Sequence, residues 1–103
     1  MPFIKHKGRP RKKRIVRNAP NSFQFSPRGR IGRPGYVELK HEELEAIRLA
    51  DFAGMRQSQA ASDMGVSQQT FSRILNKGRK IVSEALVLGK IIKVSGGDYQ
   101  LEK

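Results

Sequence analysis

Gly65 divides two stretches of helical periodicity, and the residues at fixed distances from it leave few choices of fold. The run from Gln57 to Asn76 reads QSQAASDMGVSQQTFSRILN. Ala60, Met64, Val66, Phe71 and Ile74 recur at spacings that turn them toward the inside of a helix pair. Ala61, four residues before the glycine, is small enough to let a second helix come close. A tight turn between such helices needs a left-handed backbone, which glycine adopts at least cost. Ser67 then stands where the second helix needs an N-cap. The register predicts a helix-turn-helix.

The outward residues of the second helix are then Gln68, Gln69, Thr70, Ser72, Arg73 and Asn76. These side chains hydrogen-bond to base edges and phosphates. An ordinary helical hairpin with a merely solvated face is the bland alternative, but an idle face is usually rich in Glu and Lys. Here no acid occurs from Val66 to Val82. The apolar stripe continues through Gly78, Ile81, Val82, Ala85 and Leu88, predicting one long helix from Gln68 to Leu88. Gly78 inside it costs about 1 kcal/mol against alanine. Close approach of another helix would account for it; a break there is the alternative. Lys77, Arg79 and Lys80 follow the reading residues and suit phosphate contacts.

Charge points the same way. Of 103 residues, 21 are Lys or Arg and 9 are Asp or Glu, a formal charge of +12. Such an excess repels itself and is expected where a polyanion waits, a nucleic acid or an acidic membrane surface. From Met1 to Pro34 there are eleven basic residues and no acid, and all five prolines lie there. Residues 1–34 therefore form a basic, largely non-helical arm, with disorder expected to about Val16 and extended or looped chain after it. Residues 35–103 form the folded DNA-binding domain. Within the arm, Lys7-Gly8-Arg9-Pro10-Arg11-Lys12-Lys13 resembles an AT-hook, whose Arg enters a narrow minor groove. A plain phosphate-binding tail is the alternative. Either way Arg9, Arg11, Lys12, Lys13, Arg14 and Arg17 contact backbone or minor groove. Phe23 and Phe25 either anchor the arm on the core or offer a stacking platform for single strands.

Around the helix pair, Tyr36 to Leu39 reads as a short strand and Glu42 to about Ala53 as a helix with Leu44, Ile47 and Ala50 inward. Glu42, Glu43 and Glu45 lie in its first turn, where the helix dipole favours negative charge. Gly54 and Gly89 are stop residues. Lys90 to Val94 and Tyr99 to Leu101, around Ser95-Gly96-Gly97-Asp98, read as a β-hairpin that packs on the helices, with Tyr36 to Leu39 as a third strand. The expected class is mainly α: a three-helix helix-turn-helix core, a long C-terminal helix, a small β-hairpin and a disordered basic arm.

Several classes are disfavoured. No run of 18 apolar residues spans a bilayer, and Met1 to Lys13 lacks the apolar stretch of a secretory signal. Without cysteine there is no disulfide, Cys-ligated zinc or thiol nucleophile. His6 and His41 show no ligand spacing, so no metal is expected; no cofactor is expected either, and no small-molecule ligand is evident in the sequence. The acids are scattered and no His pairs with a nucleophile, so the chain is not expected to be an enzyme. A cytoplasmic, nucleoid-associated location is expected.

The segment Leu44 to Leu88 resembles the helix-turn-helix of sigma-factor region four. More closely, the chain resembles a prokaryotic family of uncharacterised, predicted DNA-binding proteins. The marks are Arg9-Pro10 with its basic run, Phe25-Ser26-Pro27-Arg28-Gly29, Leu44-Glu45-Ala46-Ile47-Arg48-Leu49-Ala50-Asp51, Ala60-Ala61, Met64-Gly65-Val66-Ser67, Gln69-Thr70-Phe71 and Arg73-Ile74-Leu75. The resemblance implies a sigma-like fold and a role in transcription. The sequence departs from the family in having no cysteine near Lys13 and in Gln68, where a basic residue is common. The expected function is sequence-specific binding of duplex DNA by a transcriptional regulator acting as a homodimer on paired half-sites. The alternative is an RNA- or ribosome-associated basic protein using the arm and the two Phe rings.

Overall fold

The left-handed turn forms where the glycine stands. In the computed structural model, which describes residues 13–17, 19, 23–29 and 32–102, Gly65 has φ 69° and ψ 32°. The Val66 amide reaches back to the Ala61 carbonyl at 3.0 Å, closing the end of helix α2 (Gln57–Met64). Two residues on, the Ser67 hydroxyl accepts the Thr70 amide at 3.1 Å and starts helix α3 (Gln68–Leu88). Upstream lie strands β1 (Arg14–Val16), β2 (Gln24–Phe25) and β3 (Tyr36–Leu39), then helix α1 (His41–Ile47). Strands β4 (Ile91–Val94) and β5 (Tyr99–Leu101) follow α3. The architecture is mainly α with two small sheets, and among the described residues no helix is long and apolar enough to cross a membrane.

Phe71 and Leu75 of α3 fill the centre of the core with Ala60, Ala61 and Met64 of α2 and Ala46 and Leu49. Ile47, Ala50, Met55, Val66 and Ile74 pack around this cluster. Leu75 rather than Ile74 is fully buried, because it lies one turn beyond Phe71 on the same side of the helix. The two alanines of α2 are small, and the long side chains of α3 share their cluster with Leu49.

Helix α1 does not stay regular to Ala53. It passes into a π-helical turn, Arg48–Phe52, in which the Ala53 amide bonds the Arg48 carbonyl at 2.8 Å. Leu49 remains in the core while Phe52 is turned out, 86% exposed.

Helix α3 passes through Gly78 without a break. A Cβ at Gly78 would lie 3.2 Å from the Glu43 Cβ and carbonyl oxygen and from the Ile47 Cδ1. Close approach of α1 is thus the reason for the glycine. At its far end α3 stops at Gly89, φ 66°, whose amide bonds the Ala85 carbonyl.

The expected β-hairpin does not form. Strand β4 is the centre of a three-stranded sheet, parallel to β3 and antiparallel to β2, so both of its edges are occupied. Strand β5 pairs instead with β1, in parallel, Arg14 opposite Tyr99 and Val16 opposite Leu101. The Gly-Gly turn is replaced by a loop held on α1: the Gly96 carbonyl accepts the His41 amide at 3.3 Å, and the Asp98 amide donates to the Glu42 carboxylate at 3.1 Å.

The expectation of disorder to about Val16 is corrected at its end, while residues 1–12, on which the rest of it falls, lie outside the described residues. Arg14–Val16 is a strand, and Val16 is 2% exposed. Burial of Val16 and the β5 ladder stabilise this segment against its entropy of ordering. The Phe23 and Phe25 rings are 61% and 52% exposed. Their segment is held through β2, a 2.8 Å bond from the Val94 amide to the Phe23 carbonyl, and an edge contact of the Phe23 ring with His41, centroids 6.2 Å apart.

The packing at Gly78 gives a test of the helix contact. Alanine there would gain about 1 kcal/mol in helix propensity, while overpacking against a backbone carbonyl costs about 1–3 kcal/mol. Gly78→Ala is therefore expected to lower the urea midpoint; a midpoint raised by the full propensity gain would mean that α1 does not press on α3 at this point.

Candidate nucleic-acid interface

A 21-residue helix packed along one side must show the other to solvent. On α3 the buried line runs through Phe71, Leu75, Gly78 and Ala85. The opposite line is Gln69, Arg73, Asn76 and Lys80, spaced four, three and four apart, all exposed. At 1.5 Å per residue this strip is about 16 Å long. It carries two cations, a Gln and an Asn, with no acid. Gln68, at the start of the helix, is exposed beside it.

The flanks differ. Toward α2, the Ser72 hydroxyl donates to Gln57 Oε1 at 2.7 Å and is half-buried, so Ser72 braces the two helices. Arg79 lies on the same flank and makes a two-pronged pair with Asp51 of the π-helical turn, at 2.6 and 3.0 Å. That pairing holds the Asp51 carboxyl below its ordinary range and pushes the Arg79 guanidinium up. Toward α1, Thr70 is half-buried and accepts a hydrogen bond from the Ser67 hydroxyl at 3.0 Å, and Lys77 is exposed.

Of the arm residues proposed to touch DNA, Arg9, Arg11 and Lys12 lie outside the described residues, and Lys13 is exposed. Arg14 and Arg17 are drawn into the fold. Arg14 pairs with Asp98 at 3.2 Å with its side chain 11% exposed. Arg17 bonds Glu102 at 3.0 Å and lies 3.6 Å from Asp63. By contrast Lys40, Arg73, Lys77 and Lys80 take part in no ion pair among the described residues.

Sequence reasoning missed Lys40 and the role of the glutamates. Glu42, Glu43 and Glu45 are buried, at 6%, 3% and 2% exposure. Each accepts a backbone amide, from Asp98, Lys40 and Arg17 respectively. Glu45 also takes two bonds from Arg48 at 2.9 Å, which raises the guanidinium pKa. The signal for Glu43 was present: three residues beyond Lys40, it closes the helix start from the N3 position. Burial pushes the Glu43 carboxyl above its ordinary range, against the pull of the Lys40 amide and of the Lys40 and Lys77 charges.

A family model described as "Protein of unknown function DUF134" matches residues 3–102, and the chain belongs to that family of uncharacterised proteins of bacteria and archaea. It is similar to a UPF0251 protein of Caldicellulosiruptor bescii, 50% identical over 91 residues, spanning 88% of this chain and 64% of that protein. It is also similar to a UPF0251 protein of Thermoanaerobacter sp., 48% identical over 97 residues, spanning 90% of this chain and 83% of that one. A UPF0251 protein of the archaeon Methanococcus vannielii is 42% identical over 101 residues, spanning 94% and 75%. No solved structure matches the chain.

The buried carboxyl at position 43 generates a pH test. Glu43→Gln keeps an oxygen to accept the Lys40 amide and removes the charge that burial disfavours. Because the folded-state pKa of Glu43 is raised, its charging weakens the parent as pH climbs through that range, and the penalty is absent below the unfolded value. Glu43→Gln is thus expected to melt higher than the parent near neutral pH, the gap closing in acid; a gap that widens in acid would contradict the sign.

Proposed function

We propose that this chain is a helix-turn-helix protein that binds duplex DNA sequence-specifically, with α3 in the major groove, and acts in transcriptional regulation. The observation that carries this reading is the strip of Gln69, Arg73, Asn76 and Lys80. It is an exposed, acid-free line on a helix fixed to its partner helix by a left-handed glycine turn and a Ser67 cap. A helix is the element that fits a major groove, Gln can pair with adenine N6 and N7, and Arg with guanine O6 and N7. Gln69 and Arg73 carry base readout, Gln68, Asn76 and Thr70 flank it, and Lys77 and Lys80 hold phosphates. The arm, through Arg9, Arg11, Lys12 and Lys13, adds phosphate or minor-groove contacts.

The arm's attachment supports this reading. Arg14 lines the same cleft as Thr70, Arg73 and Lys77, so the chain enters the fold beside the reading helix. Deletions meant to remove only the arm must stop before Arg14, because β1 belongs to the sheet.

A second copy completes the proposal. One helix-turn-helix reads few base pairs, and paired half-sites are the usual solution. The end of α3 remote from the reading strip shows Leu86, Val87 and Leu88 at 76%, 81% and 51% exposure, next to the exposed Phe25 across an apolar groove also lined by Pro27 and Ile92. Joining two copies there leaves both reading strips free. Sedimentation is expected to show a dimer that Leu86→Glu with Val87→Glu dissociates; a parent protein that stays monomeric at micromolar concentration, with and without DNA, would exclude it.

Reading and holding separate by mutation. Once the preferred site is selected from random duplexes, Gln69→Ala and Arg73→Ala are each expected to cost about 1–3 kcal/mol on that site and little on random DNA. Lys80→Ala is expected to weaken both alike and to reduce the salt slope by about 0.9. Equal losses on both DNAs for all three variants would mean that the strip only holds the backbone. Preference for structured RNA over duplex DNA in competition would favour the exposed Phe23 and Phe25 rings as the working surface.

A further inference from the structure

Between the start of α1, strand β1 and the flank of α3 lies a cleft of about 440 Å³, lined by Arg14, Lys40, Glu42, Glu43, Thr70, Arg73, Ile74 and Lys77. It draws cations from three separate elements, so no single helix face explains it. Arg14 comes from the arm, Lys40 from the residue before α1, and Arg73 and Lys77 from adjacent turns of α3. The two carboxylates at its edge are already used. Glu42 accepts the Asp98 amide and Glu43 the Lys40 amide, and both are almost wholly buried. Neither neutralises a cation by direct contact: Lys40, Arg73 and Lys77 form no ion pair among the described residues.

We propose that this cleft binds a phosphate group. Lys40 and Lys77 supply point charges and Arg73 a planar fork of donors, the two kinds of group that serve phosphate oxygens. Thr70 adds a hydroxyl. Since its oxygen already accepts from Ser67, its own hydrogen is available to an acceptor in the cleft. Ile74 gives the cleft one apolar side. The phosphate has two chemical sources. A phosphodiester of bound duplex, held by Lys40 and Lys77 while the Arg73 fork stays on its base, would lock α1 and the arm onto the backbone next to the reading strip; that source rests on the function proposed above. A free phosphate or phosphorylated metabolite would instead occupy Arg73 and Lys77 and compete with DNA.

Two measurements on the full chain decide both the site and the source. In the first, backbone amide NMR follows titration with inorganic phosphate against sodium chloride at matched ionic strength. In the second, duplex binding is measured against salt for the parent, Lys40→Ala and Lys40→Arg. Lys40 caps α1 through its backbone amide, which alanine retains, so the variant is expected to fold. Saturable, phosphate-specific shifts at Lys40, Thr70, Arg73 and Lys77 that Lys40→Ala abolishes would establish the site with a free phosphate as ligand. A log–log salt slope lower by about 0.9 in Lys40→Ala and restored in Lys40→Arg would establish it with the DNA backbone as ligand. Shifts that chloride reproduces, together with a slope Lys40→Ala leaves unchanged, would overturn the site. Should the parent fail to bind duplex at all, the function proposed above falls, while the phosphate titration still decides the cleft.

Discussion

Three buried carboxylates at the start of one short helix anchor the backbone on either side of it. Each of Glu42, Glu43 and Glu45 takes its hydrogen-bond donor from the backbone of a different segment: the loop before β5, the residue before α1, and the residue after β1. A buried carboxylate without donors costs several kcal/mol, so these amides are obligatory partners once α1 packs on α3. The close contact at Gly78 presses α1 onto α3. The glutamates then fix where the arm and the C-terminal loop must run. The parallel ladder of β1 with β5 lies between two of these anchors, with Arg17 pinned to Glu45 and Asp98 to Glu42. In a protein of charge +12, acids that serve the backbone on the inside leave the exposed line from Gln69 to Lys80 on α3 basic and polar.

The same arrangement sorts the cations. Arg14, Arg17, Arg48, Arg79 and Lys90 are consumed by carboxylates of the fold. Most of these pairs are exposed enough to be worth little individually. Their effect is to orient segments: Arg79 ties α3 to the π-helical turn, and Arg17 ties the arm to the chain end. The cations left over along α3 and at Lys40 lie around one cleft and one strip. A count of Lys and Arg along the sequence cannot separate the two sets, because the separation depends on which acids end up across the interface.

Legibility of the fold followed the range of the interactions. Both boundaries of α3, the left-handed Gly65, the Ser67 cap and strand Tyr36–Leu39 rest on residues within a turn or two of one another, and all were readable. The strand partners were not. β1 and β5 are more than eighty residues apart in sequence, and nothing in Arg14-Ile15-Val16 names Tyr99-Gln100-Leu101 as its partner. The Gly96-Gly97 pair looked like a hairpin turn because turn chemistry is local. Whether β4 has a free edge is not, and here β2 and β3 occupy both. The three glutamates looked like charges favoured by the helix dipole, since burial depends on the loops that cover them. In the candidate site, the strip of Gln69, Arg73 and Asn76 was legible from periodicity, whereas the bracing role of Ser72, the ion pair of Arg79 and the cleft contribution of Lys40 came only with the neighbouring elements.

The proposed reading helix is therefore coupled to the arm through α1. α3 cannot shift toward α1, because Gly78 leaves no room there. It cannot rotate toward α2 without breaking the Ser72–Gln57 bond and the Arg79–Asp51 pair. The strip and the cleft are thus presented as one rigid surface, with β1 entering alongside. Preorganisation of this kind lowers the entropy lost on binding. Under the proposed function it also sets a division of labour. The strip supplies discrimination through groups that need a fixed orientation, while the arm supplies charge that needs only to be near. Under the proposed function, fixing Arg14 in β1 places the attachment point of the arm's charge beside α3, without adding any uncertainty to the placement of α3 itself.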